Sequence, residues 1–190
     1  MGSVSVTEDG KHEAVFRIRN IQHIIQYVLP IFDAFPLLTS KQFNYLKFRE
    51  AILIIANGDL TKQEKHDIIS AIKAKKMPEN YVSSAWVNIT DFTKVEVMKV
   101  ITKFWIVGFT EAEGSFYLTI KGFKRLVHVF EITQKLDIIV LKAIALILNL
   151  RVARKKTYNC VIGISNDSLI TIVNYFFNTI KGMKSVEYRI

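Results

Sequence analysis

The sequence has little cysteine, little proline and no long apolar run, and these shortages exclude several classes of protein. The single cysteine, Cys160, excludes an internal disulfide framework and most cysteine-based zinc sites. No apolar run reaches the roughly 18 residues of a membrane span, because the longest candidate, Ile138 to Leu150, is interrupted by Lys142. The first residues resemble neither a signal peptide nor an Arg-rich transit sequence. We therefore expect a globular protein with no membrane partner.

Acidic residues are also scarce relative to basic ones. The chain of 190 residues carries 26 Lys and Arg against 17 Asp and Glu, which gives a formal net charge of +9. Half of the residues are hydrophobic, as is typical of a globular protein rather than a disordered one. The length suffices for one sizeable core or two small ones. The positive charge suits a polyanionic partner, although ribosomal, membrane-surface and other basic proteins share it.

The most informative segment is an apolar stretch, residues 104–113, that ends in acidic residues. Gly108 and Ala112 stand four residues apart, so a helix places both on one face, where another backbone could approach closely. Glu111 and Glu113 fall in the last turn, where the helix dipole disfavours each negative charge by roughly 0.3–1 kcal/mol. This arrangement suggests a metal-binding or catalytic acid. The alternative is a buried helix with two solvated glutamates.

Alternation, turn residues and capping signals predict the remaining elements. Gly114 is interpreted as the helix stop, Ser40 and Asp167 as N-caps, and Thr61 with Glu64 as a capping box. An Asp-Gly pair between the first two strands predicts a hairpin turn. The predicted strands are 3–7, 14–19, 115–121, 126–133, 151–156 and 158–165, and the further helices are 21–32, 41–56, 61–76, 136–148 and 168–178.

Several of these segments match the motifs of one protein family. Residues 108–116 read Gly-Phe-Thr-Glu-Ala-Glu-Gly-Ser-Phe, and the match continues through 130–135 and 181–189. In the first half it covers residues 35–41 and 83–86. Together these segments resemble the LAGLIDADG homing endonucleases and the related intron RNA maturases, in the form found in fungal mitochondrial intron proteins.

The resemblance implies an α+β fold, a LAGLIDADG pseudo-repeat whose antiparallel sheets form a nucleic-acid-binding saddle. Residues 1–76 would be the C-terminal part of the first repeat, 77–100 a linker, and 101–190 the second repeat. Residues 161–166 match 15–20 at an offset of 146 residues. The first repeat is therefore expected to be incomplete, since it begins only at its second hairpin and lacks the first signature helix.

The resemblance also assigns roles to the signature helix. In the family, two such helices pack against each other through their small residues, here Gly108 and Ala112. The last acid of each helix, here Glu113, holds the divalent metals that cleave DNA, for which we expect Mg²⁺. Carboxylates that clamp metals on the attacking and leaving oxygens are what phosphodiester cleavage requires. The partner carboxylate would belong to the missing first motif.

Three further residues match catalytic positions of the family. Gln134 would lie beside the metals and orient water by hydrogen bonding. Lys184 and Lys41 match basic residues near the scissile phosphates, where a cation can stabilise developing charge. The alternatives are that Gln134 simply ends a strand and that either lysine is a surface charge.

By the same resemblance, each repeat lays a curved sheet along the DNA major groove, which is wide enough for a two-stranded ribbon. Side chains that point outward from the hairpins would read bases; the alternative is a solvated sheet face. In the first half these are Ser3, Ser5, Arg17 and Arg19, and in the second half they are Tyr117, Thr119, Lys121, Arg125, His128, Glu131, Arg154 and Lys156. Lys124 and Lys155 add basic charge at the turns, where phosphates could be neutralised.

The predicted function is that of an intron-encoded, site-specific DNA endonuclease with Mg²⁺-dependent phosphodiester hydrolysis, incomplete in this chain. One alternative is an RNA maturase that binds and helps to fold its group I intron, and another is a non-catalytic nucleic-acid-binding remnant. The expected partners are double-stranded DNA, group I intron RNA, and either a second copy of the chain or a separate N-terminal half. We expect a mitochondrial location, because the composition suits an AT-rich organelle gene.

Overall fold

The structure, a computed structural model, describes residues 2–6 and 14–189. They form two compact units that divide between Ser84 and Ala85. This division falls inside the predicted linker, and the repeat boundaries at 76/77 and 100/101 stay a prediction. The predicted turn between the first two strands lies outside the described residues. None of the described helices is long and apolar enough to cross a membrane.

The first unit combines one hairpin with helices. Its elements are β1 (Ser3–Val6), β2 (Ala14–Arg17), α1 (Ile21–His23), a π-helical turn (Ile24–Val28), α2 (Leu29–Ala34), α3 (Lys41–Ala56) and α4 (Lys62–Ala74). The predicted capping box of Thr61 and Glu64 is present at the start of α4. Ser40 precedes α3, but its hydroxyl does not cap that helix, contrary to our prediction. The core of this unit is assembled around buried Leu29 and Tyr45.

The hairpin of the first unit leaves one apolar face exposed. β1 pairs antiparallel with β2, with Ser3 opposite Arg17 and Val4 opposite Phe16. Side chains alternate along a strand, so Val4, Val6 and Phe16 share a face, and they are 71%, 62% and 63% exposed. None of the described residues buries these three side chains.

The second unit is a four-stranded sheet with helices on one side. Its elements are α5 (Lys94–Val100), α6 (Lys103–Glu113), β3 (Gly114–Lys121), β4 (Arg125–Gln134), α7 (Ile138–Leu148), β5 (Arg151–Arg154), β6 (Asn159–Gly163), α8 (Asn166–Phe176) and α9 (Lys184–Tyr188). The strands are antiparallel in the order β3-β4-β6-β5. The predicted α+β class with antiparallel sheets is confirmed.

The centre of this unit is α7, the apolar segment that is too short to span a membrane. Seven of its 11 residues are buried, while Lys142 is exposed on its outer side. The helix packs on β4, β5 and β6 and against α8. α5, which lies inside the predicted linker, also packs on α7, and its Val97 is fully buried.

The N-caps of α1 and α8 correct our match between the two halves. Asn20 accepts a hydrogen bond from the backbone N–H of His23, and Ser165, not the predicted Asp167, accepts one from Ser168. Ser165 is therefore equivalent to Asn20, one residue out of step with the predicted offset. A shift of one residue exchanges the two faces of a strand. The corrected alignment pairs Phe16, the exposed apolar residue of β2, with Val161. Val161 is fully buried on the helix side of the second sheet.

Further along the chain, Tyr45 of the first unit is equivalent to Tyr188 of the second. The hydroxyl of Tyr45 donates to Asp33 Oδ1 at 2.5 Å and lies 3.1 Å from the carbonyl oxygen of Leu29, and the hydroxyl of Tyr188 donates to the carbonyl of Val173 at 2.7 Å. Between the N-cap and this carbonyl, the first unit has one residue more than the second. The π-helical turn Ile24–Val28 accommodates the additional residue, because its hydrogen bonds span five residues instead of four.

Candidate nucleic-acid interface and metal-binding end

The signature segment forms α6 and turns directly into β3. The Thr102 hydroxyl caps α6 by accepting from the Trp105 N–H, and the helix ends at Glu113, with Gly114 already in the strand. Gly114 follows the last helical residue, as predicted for the helix stop, and its φ of −81° is an ordinary extended conformation. A Cβ at Gly114 would lie 2.7 Å from the Thr110 carbonyl oxygen. The glycine is required there for space.

One stripe of α6 is open. Gly108 and Ala112 are exposed, and a Cβ added at Gly108 would have no neighbour within 4 Å among the described residues. Phe104, one turn before Gly108, is 80% exposed. The small residues therefore share one accessible helix surface, which we call the 104/108/112 stripe.

The two glutamates of α6 differ in their surroundings. Glu111 Oε1 accepts hydrogen bonds from the backbone N–H groups of Lys181 at 3.0 Å and Gly182 at 2.7 Å, and its Oε2 accepts from Lys184 at 3.4 Å. A Cβ at Gly182 would lie 2.5 Å from Glu111 Oε2. Glu111 therefore holds the segment that leads into α9, and its oxygens are already engaged.

Glu113 has none of these contacts. It is exposed, and its carboxylate makes no hydrogen bond or ion pair within the part of the chain that the structure describes. Because an α-helix presents residues i and i+2 on different sides, Glu113 points away from the segment that Glu111 holds. Its two oxygens are available to an external cation.

Lys184 lies at the start of α9 and is paired within the unit. Its ammonium donates to Glu187 Oε1 at 2.9 Å and Oε2 at 3.1 Å, and Glu187 Oε2 also accepts from the Phe116 N–H of β3 at 3.3 Å. The Lys184 ammonium and the Phe116 N–H lower the pKa of Glu187 below its ordinary value of 4.5. The stabilisation from this contact is thus fully present above pH 4.5 and is lost as the pH falls through the lowered pKa.

Gln134 ends β4 at the same end of the sheet. Gly114 pairs with Ile132, so the antiparallel register carries β4 past the first residue of β3, towards the end of α6. Gln134 itself pairs with Asn159 of β6, whose side-chain oxygen is buried with no hydrogen-bond partner among the described residues. The second unit thereby brings three predicted catalytic residues, Glu113, Gln134 and Lys184, to one end of its sheet.

The fourth predicted catalytic residue, Lys41, belongs to the first unit. It is the first residue of α3 and is exposed. Its backbone N–H donates to the Thr39 hydroxyl at 3.4 Å, and its ammonium makes no ion pair with any described residue. Lys41 and Lys184 each begin a helix, α3 and α9. Of the two, only Lys184 has an acidic partner among the described residues.

One face of the second sheet, here called the open face, carries none of the described helices of this unit. Helices cover the other side, where Phe116 and Phe130 contact Phe176 of α8. The pairing of β3 with β4 places Tyr117, Thr119, Lys121, Arg125 and Glu131 together on the open face. These are five of the eight outward residues that we predicted for this half.

Tyr117 and Glu131 form a fixed pair on the open face. The Tyr117 hydroxyl donates to Glu131 Oε2 at 2.8 Å, and burial together with Glu131 raises the pKa of Tyr117 to about 12. Beneath them Cys160 is fully buried, and burial followed by the nearby Glu131 raises the pKa of its thiol. Cys160 is therefore a protonated packing residue and not a nucleophile.

The register corrects two of the predicted reading residues and adds one. His128 pairs with Leu118, and Arg154 with Asn159, so both lie on the helix side and our expectation that they share the reading face is wrong. Arg151 lies on the open face, opposite Ile162. The alternation of β5 could have predicted the position of Arg151. Val152, the next residue, is apolar and lies on the helix side, so Arg151 must lie on the open face.

The remaining predicted contacts lie in turns and in the first hairpin. Ser3, Ser5 and Arg17 share one face of β1 and β2, whereas Arg19 follows the end of β2. In the second unit, Lys124 adopts φ 65° in the turn between β3 and β4. Lys155 and Lys156 lie beyond the end of β5, in the turn to β6.

Known proteins share the sequence motifs and the architecture of this chain. A family model described as LAGLIDADG endonuclease matches residues 1–52 and 106–190. The chain belongs to the LAGLIDADG endonuclease family. It is 33% identical over 192 residues to the probable intron-encoded endonuclease Cox1-I1b of Schizosaccharomyces pombe, a match that covers 96% of this chain and 47% of that protein. The chain thus spans about half the length of this curated relative.

Two solved structures share the LAGLIDADG fold with this chain. The meganuclease I-SmaMI bound to uncleaveable DNA has a TM-score of 0.77 and 20% identity, over 100% of this chain and 69% of that chain. The LAGLIDADG homing endonuclease I-LtrWI bound to target DNA has a TM-score of 0.76 and 22% identity, over 97% of this chain and 67% of that chain.

Opposite stability effects are expected from alanine at two glycines of the LAGLIDADG segment. Gly114→Ala forces a Cβ against the Thr110 carbonyl and should lower the free energy of unfolding by about 1–3 kcal/mol. Gly108→Ala meets no neighbour and removes a flexible helix residue, so it should raise that free energy by roughly 0.5–1 kcal/mol. Urea unfolding measures both values. Equal losses in the two variants would contradict this account of α6.

The two glutamates of α6 should likewise separate in a stability measurement. Glu111→Gln replaces an acceptor of three backbone N–H groups by an amide and should cost about 1.5–3 kcal/mol, the range for a hydrogen bond to a charged group. Glu113→Gln should stay within about 0.5 kcal/mol of the original protein, as expected for an exposed side chain. Thermal unfolding of both variants measures the difference, and a larger loss for Glu113→Gln would refute the assignment.

Proposed function

We propose that this chain supplies the DNA-reading surface and one of two acidic metal ligands of a LAGLIDADG homing endonuclease. The observation that carries the proposal is the exposed, unpaired carboxylate of Glu113, which lies at the same end of the sheet as Gln134 and Lys184. The substrate is a specific duplex site, and the reaction is hydrolysis of a phosphodiester in each strand.

A divalent cation fits the donor set at Glu113. Mg²⁺ is commonly held by one or two carboxylates with water completing its shell, and the Glu113 oxygens have no competing partner. Among the described residues, no group of three or more His, Cys, Asp or Glu side chains could hold a metal ion. We propose that Glu113 contributes one carboxylate to a metal site that is shared with a second acidic helix end. When bound, the cation stabilises charge on the attacking and leaving oxygens.

The neighbouring side chains supply the rest of the chemistry. Gln134 can orient a water molecule through its amide, which both donates and accepts hydrogen bonds. Lys184 brings a cation to the phosphate, where negative charge develops during the reaction. Lys41 plays the equivalent part for the first unit. Glu111 takes no part in the reaction, because its oxygens hold the segment before α9.

The open face suits a DNA groove by its charge and its hydrogen-bonding groups. Arg125, Lys121 and Arg151 offer guanidinium and ammonium groups, which contact guanine edges and phosphates. Tyr117 and Thr119 add hydroxyls that donate and accept. Alternating long polar side chains on the open face can approach base edges directly, while the turn lysines neutralise phosphates.

We propose that the gene lies in an intron of a mitochondrial genome; the relative in Schizosaccharomyces pombe, which is named a probable intron-encoded endonuclease Cox1-I1b, supports this proposal. A role in folding the group I intron RNA would use the same basic residues and stays the competing hypothesis. Binding of RNA and of duplex DNA to one purified chain separates the two hypotheses. The major groove of A-form RNA is inaccessible to side chains, so a surface that reads a major groove should bind the duplex DNA in preference.

Binding of duplex DNA should depend on the open face and on salt. Arg125→Ala should weaken binding of a target duplex by about 1–3 kcal/mol if Arg125 reads a base, and should flatten the salt dependence if it contacts a phosphate. His128→Ala is the matched control, since His128 lies in the same strand on the helix side. Fluorescence anisotropy at several salt concentrations measures both. Equal weakening by the two variants would show that the open face is not the reading surface.

Metal binding should follow Glu113. In crystals of a duplex complex grown with Mn²⁺, an anomalous-scattering peak is expected beside the Glu113 carboxylate and absent from Glu111. Glu113→Gln should remove the peak while the complex persists, because a neutral amide is a weak ligand for a hard cation. A peak at Glu111 with none at Glu113 would overturn the assignment.

The chain as a monomer should not make double-strand breaks, because it carries one acidic helix end and a 104/108/112 stripe with no described partner. We expect sedimentation to show a monomer that leaves plasmid targets unlinearised in Mg²⁺. A second copy could supply a second Glu113 by symmetry. In that case a dimer should cut, and Glu113→Gln should abolish cutting. Efficient linearisation by a monomer would contradict the proposal.

A further inference from the structure

Glu187 connects three parts of the second unit. Its carboxylate accepts from the Lys184 ammonium at 2.9 and 3.1 Å and from the Phe116 N–H at 3.3 Å. Phe116 is the third residue of β3, which begins immediately after Glu113. Glu187 therefore fixes the Lys184 side chain against the strand that follows the acidic helix end.

The backbone of Lys184 is held from the opposite direction. Glu111, in the last turn of α6, accepts from the N–H groups of Lys181, Gly182 and Lys184. Two carboxylates, Glu111 and Glu187, thus fix the same lysine, one through its backbone and one through its ammonium. We call this arrangement the Lys184 brace.

Among the described residues of the first unit, no carboxylate holds the equivalent lysine in this way. Tyr45 and Tyr188 occupy equivalent positions, since the hydroxyl of each contacts a backbone carbonyl of the helix that precedes it, Leu29 of α2 and Val173 of α8. Counting back from the tyrosines makes Lys41 equivalent to Lys184 and Asn44 equivalent to Glu187. Asn44 is neutral, and the Lys41 ammonium makes no ion pair with a described residue.

We propose that Glu187 is a positioning residue that immobilises the Lys184 ammonium, and that Asn44 leaves Lys41 without such a hold. The inference rests on the proposed function, in which both lysines serve the scissile phosphates. The two strands of a bound duplex would then meet differently prepared lysines: one already ordered in the free protein, the other ordered only by the DNA.

The environment of the pair supports a specific contact. The Lys184 side chain is 21% exposed, whereas Lys99, which forms the same i,i+3 pair with Glu96, is 63% exposed. An ion pair with well-exposed partners contributes little, because water screens it and two long side chains lose freedom. Glu187 makes the additional Phe116 contact, and its lowered pKa keeps it ionised.

Competitive labelling with an amine-reactive ester, read by mass spectrometry, tests the hold on the intact chain. Lys184 should react more slowly than Lys41. Glu187→Gln should accelerate labelling of Lys184 about two- to fivefold, the range of a partly exposed ion pair, and leave Lys41 unchanged. Glu187→Asp should restore part of the slow rate. Gln can still accept from the Phe116 N–H, so near-UV circular dichroism should show an unchanged fold.

Two further variants make the test specific. Asn44→Glu should slow the labelling of Lys41 by building the missing pair in the first unit. Glu96→Gln is the matched control, which frees Lys99 and should leave Lys184 at its original rate. Unchanged Lys184 labelling in Glu187→Gln, or equal acceleration by Glu96→Gln, would overturn the inference.

A duplex arm separates this inference from the proposed function. Adding a target duplex should protect both lysines, with the larger change at Lys41. If Glu187→Gln accelerates Lys184 labelling but the duplex protects neither lysine, the proposed function fails while the hold by Glu187 stands. If the duplex protects both lysines and Glu187→Gln has no effect, the proposed function stands and the inference fails.

Discussion

The contact on which the candidate site depends is the carboxylate of Glu111 against the N–H groups of residues 181–184. It joins the end of the signature helix to a segment about 70 residues later in the chain. An acid at the C-terminal end of a helix is unfavourable for that helix, but here the charge meets the free N–H groups at the start of α9. It fixes the backbone of Lys184, while Glu187 and Tyr188 fix α9 against β3 and α8.

Glu113 differs from Glu111 because its side chain points away from residues 181–184. Glu113, two residues on, receives no N–H group and is exposed at the point where helix turns to strand. The tight junction at Gly114, which tolerates no Cβ against the Thr110 carbonyl, leaves no turn between the two elements. One short acidic segment thus holds residues 181–184 through Glu111 and leaves the carboxylate of Glu113 exposed.

Much of this could be predicted from the sequence, and the failures have physical reasons. The motif at 108–116, the capping box at Thr61 and the apolar α7 are local patterns, and all three are present in the structure. Which residues share a face of each strand was harder to predict. A shift of one residue exchanges the two faces, and the π-helical turn of the first unit adds one residue that obscures the alignment of the two halves. His128 and Arg154 were assigned to the wrong side because each stands three residues from an open-face arginine, Arg125 or Arg151, and alternation places it on the other face. Arg151 was missed for the same reason. The roles of Glu111 and Glu187 depend on contacts between distant segments, which no spacing rule reveals.

The central claim is that the open face of the second sheet, together with its Glu113 end, is the nucleic-acid interface. Amide hydrogen exchange of the chain with and without a target duplex tests it most directly. We predict slower exchange in β3 and β4 around Tyr117 and Arg125, with little change in α7 and α8 on the opposite side. Protection confined to the helices, with the open face unaffected, would contradict the account.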